Sequence, residues 1–391
     1  MLSSSYLPKL NGVTRTVSAL SDGLGRRGDE VTVVTRWRKG LPRRSEGAST
    51  RVVRVGRGKG FGESAFLWGA MTLFTVRSCK KKEFEVVHAH GTISGLSAVC
   101  GWLIGRVPFL VSFHQDALIG WETGYNRLYG FKYHLTRFLQ ARICGFAAVV
   151  TVQSPEVGEI TRRALGLDDT TRIAVLPNAV DIARFSSDDS PPPCNRNILF
   201  VGNLIKRKGI DVLLRSFASL EELFPDARLT IVGGGPEKTS LENLARDLGI
   251  SAKVSFLDEV DDKTLASLYH GSAVVILPSY SEVFGVVILE AFAANRPVIA
   301  TATVGATSII TDNVSGRIVP IGDSKGIASA ITDLFSDEKS AVEMARVGHQ
   351  LVLAKYSAEA VGGSLEWLYR SVVAESNPMD TALNSKTVKL S

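Results

Sequence analysis

Two carboxylates, Glu282 and Glu290, stand eight positions apart in SEVFGVVILEAF (residues 281–292), inside an otherwise apolar run. A buried carboxylate without a partner is costly, so a core-like segment that carries two of them needs something for them to bind. The segment reads as a strand-to-helix turn with the helix beginning close to Gly285. The first free N–H groups of that helix, at Phe284, Gly285, Val286 and Val287, form an anion site favoured by the helix dipole. Eight helical positions at 1.5 Å each span up to roughly 12 Å, about the reach from the sugar of a nucleotide diphosphate sugar to its ribose. Two carboxylates flanking a phosphate site can each accept hydrogen bonds from vicinal hydroxyls, one pair on a sugar and one on ribose. Alone, Glu282 reads more simply as a helix-capping charge and Glu290 as a surface residue. Gly285 and the nearby basic loop KRKG (206–209) together reverse that preference.

In that loop Lys208 is flanked by Lys206, Arg207 and Gly209, and a cationic loop after a parallel strand suits a diphosphate clamp as well as a solvated charge run. Gly12 follows Asn11 in what reads as a tight turn, where a residue without Cβ lets a backbone N–H approach a phosphate. His114 ends the apolar strand PFLVSFH (108–114), which directs it into a ligand-binding crevice if the strand is buried. His88 and His90 lie on one strand face with no carboxylate in their motif and read as packing residues. The triple glycine at 233–235 lacks GxGxxG spacing, so a dinucleotide site is weakly supported. The four cysteines are widely spaced, without CxxC, which favours a reducing compartment and argues against structural zinc.

These residues need elements to hold them. A chain of 391 residues exceeds the size of about 250 to 300 at which single cores stop growing, so two domains are expected. Short Val/Ile-rich runs, EVTVVTR, EVVHAHG, PFLVSFH and AAVVTVQS in the first half and RNILFVGN, ARLTIVGG, KVSFLD, AVVILPS and RPVIATAT in the second, alternate with amphipathic stretches such as 209–224 and 238–249. Repeated β-α units with near-continuous apolar strands predict an α/β fold: two Rossmann-like, doubly wound parallel-sheet domains facing a cleft, with ligands at the carboxyl ends of the strands. The expected division is a first domain at 1–185, a linker at 186–195 containing a proline run, a second domain at 196–357, a helix at 358–374 crossing back, and a disordered tail at 375–391. The first strand is short, and a few strand residues upstream of Met1 are expected to be missing from the sequence. The apolar runs at 92–111 and 65–76 read as buried elements, the first being interrupted by Arg106 and Pro108 and the second being too short to span a bilayer.

Charge is uneven: residues 1–185 carry 26 Lys/Arg against 14 Asp/Glu, a net of +12, and residues 186–391 carry 19 against 25, a net of −6. Basic clusters at 36–39, 43–44 and 80–82, close to Trp37, Phe66, Leu67 and Trp68, suit anionic lipid headgroups or acidic acceptors, or a solvated surface.

The segment SEVFGVVILEAFAANRPVIAT (281–301) resembles the E-x7-E region of the retaining glycosyltransferases of family 4, which have the two-domain GT-B arrangement. The likeness extends over YLPKLNGV (6–13), EVVHAHG (85–91), SFHQD (112–116), LPNAVDIARF (176–185), LFVGNLIKRKGIDVLL (199–214), IVGGGPE (231–237) and DNVSGRIVPIGD (312–323). The resemblance implies that Glu282 contacts donor-sugar hydroxyls, Glu290 the ribose, and Gly12 and Lys208 the diphosphate, with His114 near the reacting carbon. It further implies sugar transfer from a UDP- or GDP-sugar to a glycan, glycolipid or lipid-linked acceptor, with retention of configuration and with the leaving phosphate oxygen deprotonating the acceptor. Asn203 stands where the family usually has arginine, so one phosphate cation is missing unless Arg207 or Lys206 replaces it. Asn295 replaces a glycine after the helix, a mild change at a left-handed C-cap. No DxD triplet occurs, as expected of a metal-independent enzyme that uses helix dipole and lysine. No cofactor is implied, because the nucleotide sugar is a substrate, and no nucleic-acid partner. The expected location is cytoplasmic, peripheral on an anionic membrane face. A non-hydrolysing sugar-nucleotide epimerase, an inactive nucleotide-sugar-binding homologue and, more weakly, a nicotinamide dehydrogenase are the alternatives.

Overall fold

The computed structural model describes residues 1–7, 12–47, 50–56, 63–114, 130–185, 193 and 195–376. The chain divides into two compact units, Met1–Ala179 with Ala358–Ser391, and Val180–Ser357. Residues 180–185 pack with the second unit rather than ending the first. Val180 N–H donates to Tyr356 O at 2.9 Å, and Phe185 meets Tyr269 edge to face at 5.4 Å. Most of the stretch expected as linker, and residues 377–391 of the expected tail, lie outside the described residues.

The first unit runs β1 (Leu2–Ser3), α1 (Gly12–Arg26), β2 (Val31–Arg36), β3 (Arg44–Glu46), β4 (Thr50–Val55), α2 (Glu63–Lys80), β5 (Val87–His90), α3 (Thr92–Gly105), β6 (Phe109–Ser112), α4 (Gly130–Cys144), β7 (Val149–Val152), α5 (Pro155–Leu165) and β8 (Ile173–Val175). Its sheet has the order β3-β4-β2-β1-β5-β6-β7-β8, parallel except for β3, which pairs antiparallel with β4. Strands β5, β6 and β7 are buried throughout, which is why their sequences are apolar on both faces and do not alternate. Helix α5 shows how local chemistry sets an end. Ser154 caps it by accepting from Val157 N–H at 3.3 Å, Pro155 opens the first turn, and Gly166 closes it in the left-handed conformation.

The second unit continues with β9 (Asn197–Val201), α6 (Ile210–Ala218), β10 (Arg228–Val232), α7 (Lys238–Asp247), β11 (Val254–Leu257), α8 (Asp262–His270), β12 (Val274–Leu277), α9 (Val286–Ala293), β13 (Val298–Thr301), α10 (Val304–Thr307), β14 (Arg317–Val319), α11 (Ser324–Ser336) and α12 (Glu338–Leu351). All its strands are parallel, in the order β11-β10-β9-β12-β13-β14. Counted within the unit this is 3-2-1-4-5-6, so the direction of winding reverses between β9 and β12, and ligands are expected in the crevice at their carboxyl ends. Helix α13 (Ala358–Ser376) then rejoins the first unit, where it packs on α1 through ion pairs of Arg26 with Glu359 and Arg27 with Glu366.

Candidate active site

Three of the residues singled out in the sequence, Arg207, Lys208 and Glu282, meet at the switch point of the second sheet. Beyond β9, residues Lys206–Lys208 form a single tight turn, ended by Gly209 at φ 62. A Cβ on Gly209 would lie 2.1 Å from Pro278 O, so only glycine lets this loop close on the segment that follows β12. Tyr280 N–H donates to Arg207 O at 2.8 Å across that contact. The closure sets Lys208 and Arg207 against Glu282. Lys208 Nζ donates to Glu282 Oε1, Arg207 Nη1 lies 3.5 Å from Oε2 and donates to Ser281 O, and Ser279 Oγ donates to Oε1 at 2.9 Å. The main chain is pinned as well, with Gly305 N–H donating to Glu282 O at 2.9 Å. Burial by itself would raise the Glu282 pKa, but Lys208 and Arg207, with hydrogen bonds from Lys208 and Ser279, outweigh it and hold the carboxyl below its ordinary value.

Gly285, at φ 82, is the N-cap of α9, so the helix begins where the sequence placed it, close to Gly285. Its first turn leaves Val286 and Val287 N–H without intrahelical acceptors, four and five positions beyond Glu282. Phe284 is buried beneath them. Glu290 lies in the second turn, only 3% exposed, and accepts from Tyr269 Oη–H at 2.8 Å. Asn203 is exposed beside the loop, while Arg207 occupies a cationic position within the cluster. The structure adds a contact to two of the expected site residues: Lys208 is engaged with a carboxylate, and Glu282 is a buried, ion-paired group. Both follow from the close approach that Gly209 permits.

In the first unit His114 follows β6, and it is bonded to a residue read from sequence as packing. His90 Nδ1 and His114 Nε2 are 2.9 Å apart with their near-parallel ring centroids 5.2 Å apart, and Gln153 Nε2 lies 3.4 Å from His114 Nδ1. His88 is held at both nitrogens, by Tyr369 Oη and Ser112 Oγ, each at 2.8 Å. Gly12 does not sit in a tight turn: it is the exposed first residue of α1, and a Cβ there would meet nothing within 4 Å. Residues 8–11, 115 and 116, parts of two expected ligand loops, lie outside the described residues. Sequence reasoning missed Tyr269, Gln153 and the contact made by His90, because their partners are brought to them only by the packing of separate elements, and it missed Ser279, whose partner Glu282 lies three positions on in the same loop. The one available signal was HAH followed by a second histidine-bearing strand.

Burial lowers the pKa of His88 to about 3 and of His114 to about 4, and puts His90 well below its ordinary value. The unfolded histidines take up protons near pH ~6.5, before the folded ones do, so this stability is complete above that pH and is lost as pH falls towards the folded values. Each withheld proton gives a slope of about 1.4 kcal/mol per pH unit. All five tryptophans (37, 68, 102, 121 and 367) belong to the first unit, so their fluorescence follows that unit alone. The urea midpoint read by tryptophan should fall steeply as pH drops from about 6.5 to about 4.5; a flat profile would contradict neutral burial of these rings.

Two Rossmann-type units, the second with a buried Lys/Arg/Glu cluster at its switch point and a helix N-terminus just beyond it, define the GT-B class of two-domain α/β transferases. The chain belongs to glycosyltransferase family 4: residues 10–184 match the family described as "Glycosyltransferase Family 4", and residues 186–350 match "Glycosyl transferases group 1". The D-inositol 3-phosphate glycosyltransferase of Corynebacterium urealyticum is 36% identical over 315 residues, covering 74% of this chain and 72% of the relative. The α-D-kanosaminyltransferase of Streptomyces kanamyceticus is 27% identical, over 77% of this chain and 81% of the relative. Among solved structures, sucrose-phosphate synthase from Thermosynechococcus elongatus superposes with TM-score 0.78 at 23% identity, covering 93% and 94% of the two chains. Anabaena Alr3699/HepE in complex with UDP-glucose superposes with TM-score 0.74 at 19% identity, covering 95% and 98%. The protein is a glycosyltransferase enzyme.

Proposed function

We propose that this glycosyltransferase moves a sugar from a nucleoside diphosphate sugar to an anionic acceptor with retention of configuration and without a metal ion. The observation that carries this is the Lys208–Glu282–Arg207 cluster placed just before the N-terminus of α9 at the β9/β12 switch point. The diphosphate would lie across the free N–H groups of α9 and the Lys208 ammonium, whose three donors allow it to serve a phosphate while bonded to Glu282. Glu282, ionised and with about four lone-pair sites, can accept a sugar hydroxyl beside its cations, and Glu290 takes the ribose. His114, just beyond β6 at the carboxyl edge of the first unit's sheet, is given its role at the sugar by the family resemblance. Lys208, Arg207 and the helix dipole offset the charge that builds on the leaving diphosphate, and the leaving oxygen takes the acceptor proton.

A panel of UDP-, GDP- and ADP-sugars in a thermal shift assay tests donor class, since a ligand that binds only the native state raises Tm. One donor series should raise it. Proton NMR of the product should show the donor's anomeric configuration, and an inverted linkage would sink the mechanism. Tight binding with no turnover would instead support an inactive homologue.

The acceptor is placed on the basic first unit, docked on an anionic membrane. The support is a surface of α2, α3 and α4 on which Phe66, Trp68, Leu73, Leu103, Ile104 and Phe138 are exposed. Lys80, Lys81, Lys82, Arg106 and Arg142 stand on or directly after the same helices. Two residues first counted with this surface drop out. Leu67 is buried in the core, and Trp37 is half-buried, with Nε1–H donating to Leu41 O at 2.9 Å and Arg43 4.5 Å above its ring. No helix among the described residues is long and apolar enough to cross a membrane. Each cation near an anionic surface contributes about 1 kcal/mol, so binding should be strong at low salt and fade with screening. Co-sedimentation with phosphatidylserine vesicles should show this, and changing Lys80, Lys81 and Lys82 to Glu should abolish it. Binding unaffected by the charge reversal would leave a soluble phosphorylated acceptor.

A further inference from the structure

We propose that His90 is a positioning residue that holds His114 as the Nε2–H tautomer, so that Nδ1 is the nitrogen presented to the ligand. The proposal rests on the role given to His114 above. It arises from geometry that neither motif displays alone. His90 ends β5 and His114 follows β6, and these strands are parallel neighbours in a register that sets His90 opposite Ser112, so the two rings are brought together at the carboxyl edge of the sheet. The rings are near-parallel, with an interplanar angle of 13°, and meet edge to edge with their facing nitrogens 2.9 Å apart.

Only one proton fits between Nδ1 of His90 and Nε2 of His114, and both rings are kept neutral by burial. Gln153 Nε2 faces His114 Nδ1, and an amide N–H beside a ring nitrogen requires that nitrogen to accept. The proton therefore sits on His114 Nε2 and is donated to His90 Nδ1. The tautomer of a histidine is set by the bond its other nitrogen makes, and here that bond is to His90. The Gln153 contact is long, at 3.4 Å, and a ligand hydroxyl can replace it.

His90 is 3% exposed, and its Nε2 has no hydrogen-bond partner among the described residues. A buried ring nitrogen without a partner is a cost that a leucine at the end of a parallel strand would avoid. His88, by contrast, has both nitrogens satisfied and needs no role in the site. The titratable groups around His90 are His88 on its own strand, His114, and the Met1 amino group just before β1, with Tyr369 of α13 one bond further away through His88. None is a carboxylate that would draw a proton onto the pair.

Three measurements test this, using whichever of UDP-, GDP- or ADP-glucose raises Tm most and reading release of nucleoside diphosphate. His114→Ala should lower kcat by about 100-fold; if it does not, the role of His114 fails before any question about His90. His90→Leu should lower kcat by about 10- to 100-fold with the donor KM unchanged. His90→Asn, whose Oδ1 stands where Nδ1 stood, should restore most of it. Long-range ¹H–¹⁵N correlation spectra of the wild-type protein should show His114 as the Nε2–H tautomer, and His90→Leu should give a mixture. The proposal is overturned if wild-type His114 is the Nδ1–H tautomer, which needs no variant to establish. It is also overturned if His114→Ala is impaired while His90→Leu keeps wild-type kcat, or if a folded His90→Asn is no better than His90→Leu.

Discussion

Glu282→Gln should reduce turnover by about 100-fold or more while shifting the affinity for nucleoside diphosphate by less than about tenfold. Glutamine keeps the shape of the side chain and can still accept from Ser279 Oγ–H, which lies 2.9 Å from Oε1. It lacks the charge that holds Lys208 and Arg207 in place and accepts a sugar hydroxyl. The loss should therefore fall on kcat, because orientation of the sugar is what changes between ground and transition state. Stability should fall as well. Removing one partner of a buried ion pair typically costs about 3–5 kcal/mol, and here two cations would be left facing each other. A saturating nucleoside diphosphate should return part of the lost Tm, since its phosphates replace the missing negative charge. Steady-state kinetics that show a folded Glu282→Gln enzyme with wild-type kcat would remove Glu282 from the chemistry.

Lys208→Ala should weaken nucleoside diphosphate binding by about 10- to 100-fold, as the loss of a charged hydrogen bond worth about 1.5–3 kcal/mol predicts, and leave the nucleoside nearly unaffected. Isothermal titration of both ligands checks this, and equal losses for the two would show that Lys208 organises the loop rather than the phosphate. Arg207 does not stand in for it, because its guanidinium is directed to Ser281 O and Glu282. Asn203→Arg introduces a cation at an exposed position beside the same loop and should tighten the diphosphate.

The architecture was largely legible because the central strands are buried on both faces, and such strands read as unbroken apolar runs whatever their neighbours. VVHAH, NILFV and VVILP each became a strand. The elements that escaped, β3, β4, β8 and β14, are edge or near-edge strands. RSE carries its charges on a solvated face, and TRVVRV has arginines on both faces, Arg51 exposed and Arg54 buried with hydrogen bonds to Pro42 O and Ser45 Oγ, so both look like loop or basic cluster. The E-x7-E segment disclosed its two carboxylates and the helix start at Gly285, since a glycine at positive φ before an apolar helix is a local feature. Asn295, likewise local, adopts φ 55 at the position just after the helix C-cap, where a left-handed residue ends the helix. What local sequence could not disclose was which groups would meet across strands. Lys208 and Glu282 are separated by 74 residues and His90 and His114 by 24, and sheet order alone decides that they touch.

The most direct test of the donor site is amide hydrogen exchange with and without the nucleotide sugar that raises Tm. Saturating ligand should slow exchange at residues 203–209 and 281–290 of the second unit, the cationic loop and the turn into α9, where the diphosphate and sugar are placed. A ligand that raises Tm and supports turnover yet leaves those amides unprotected would contradict the assignment of the donor to Lys208, Glu282 and the N-terminus of α9.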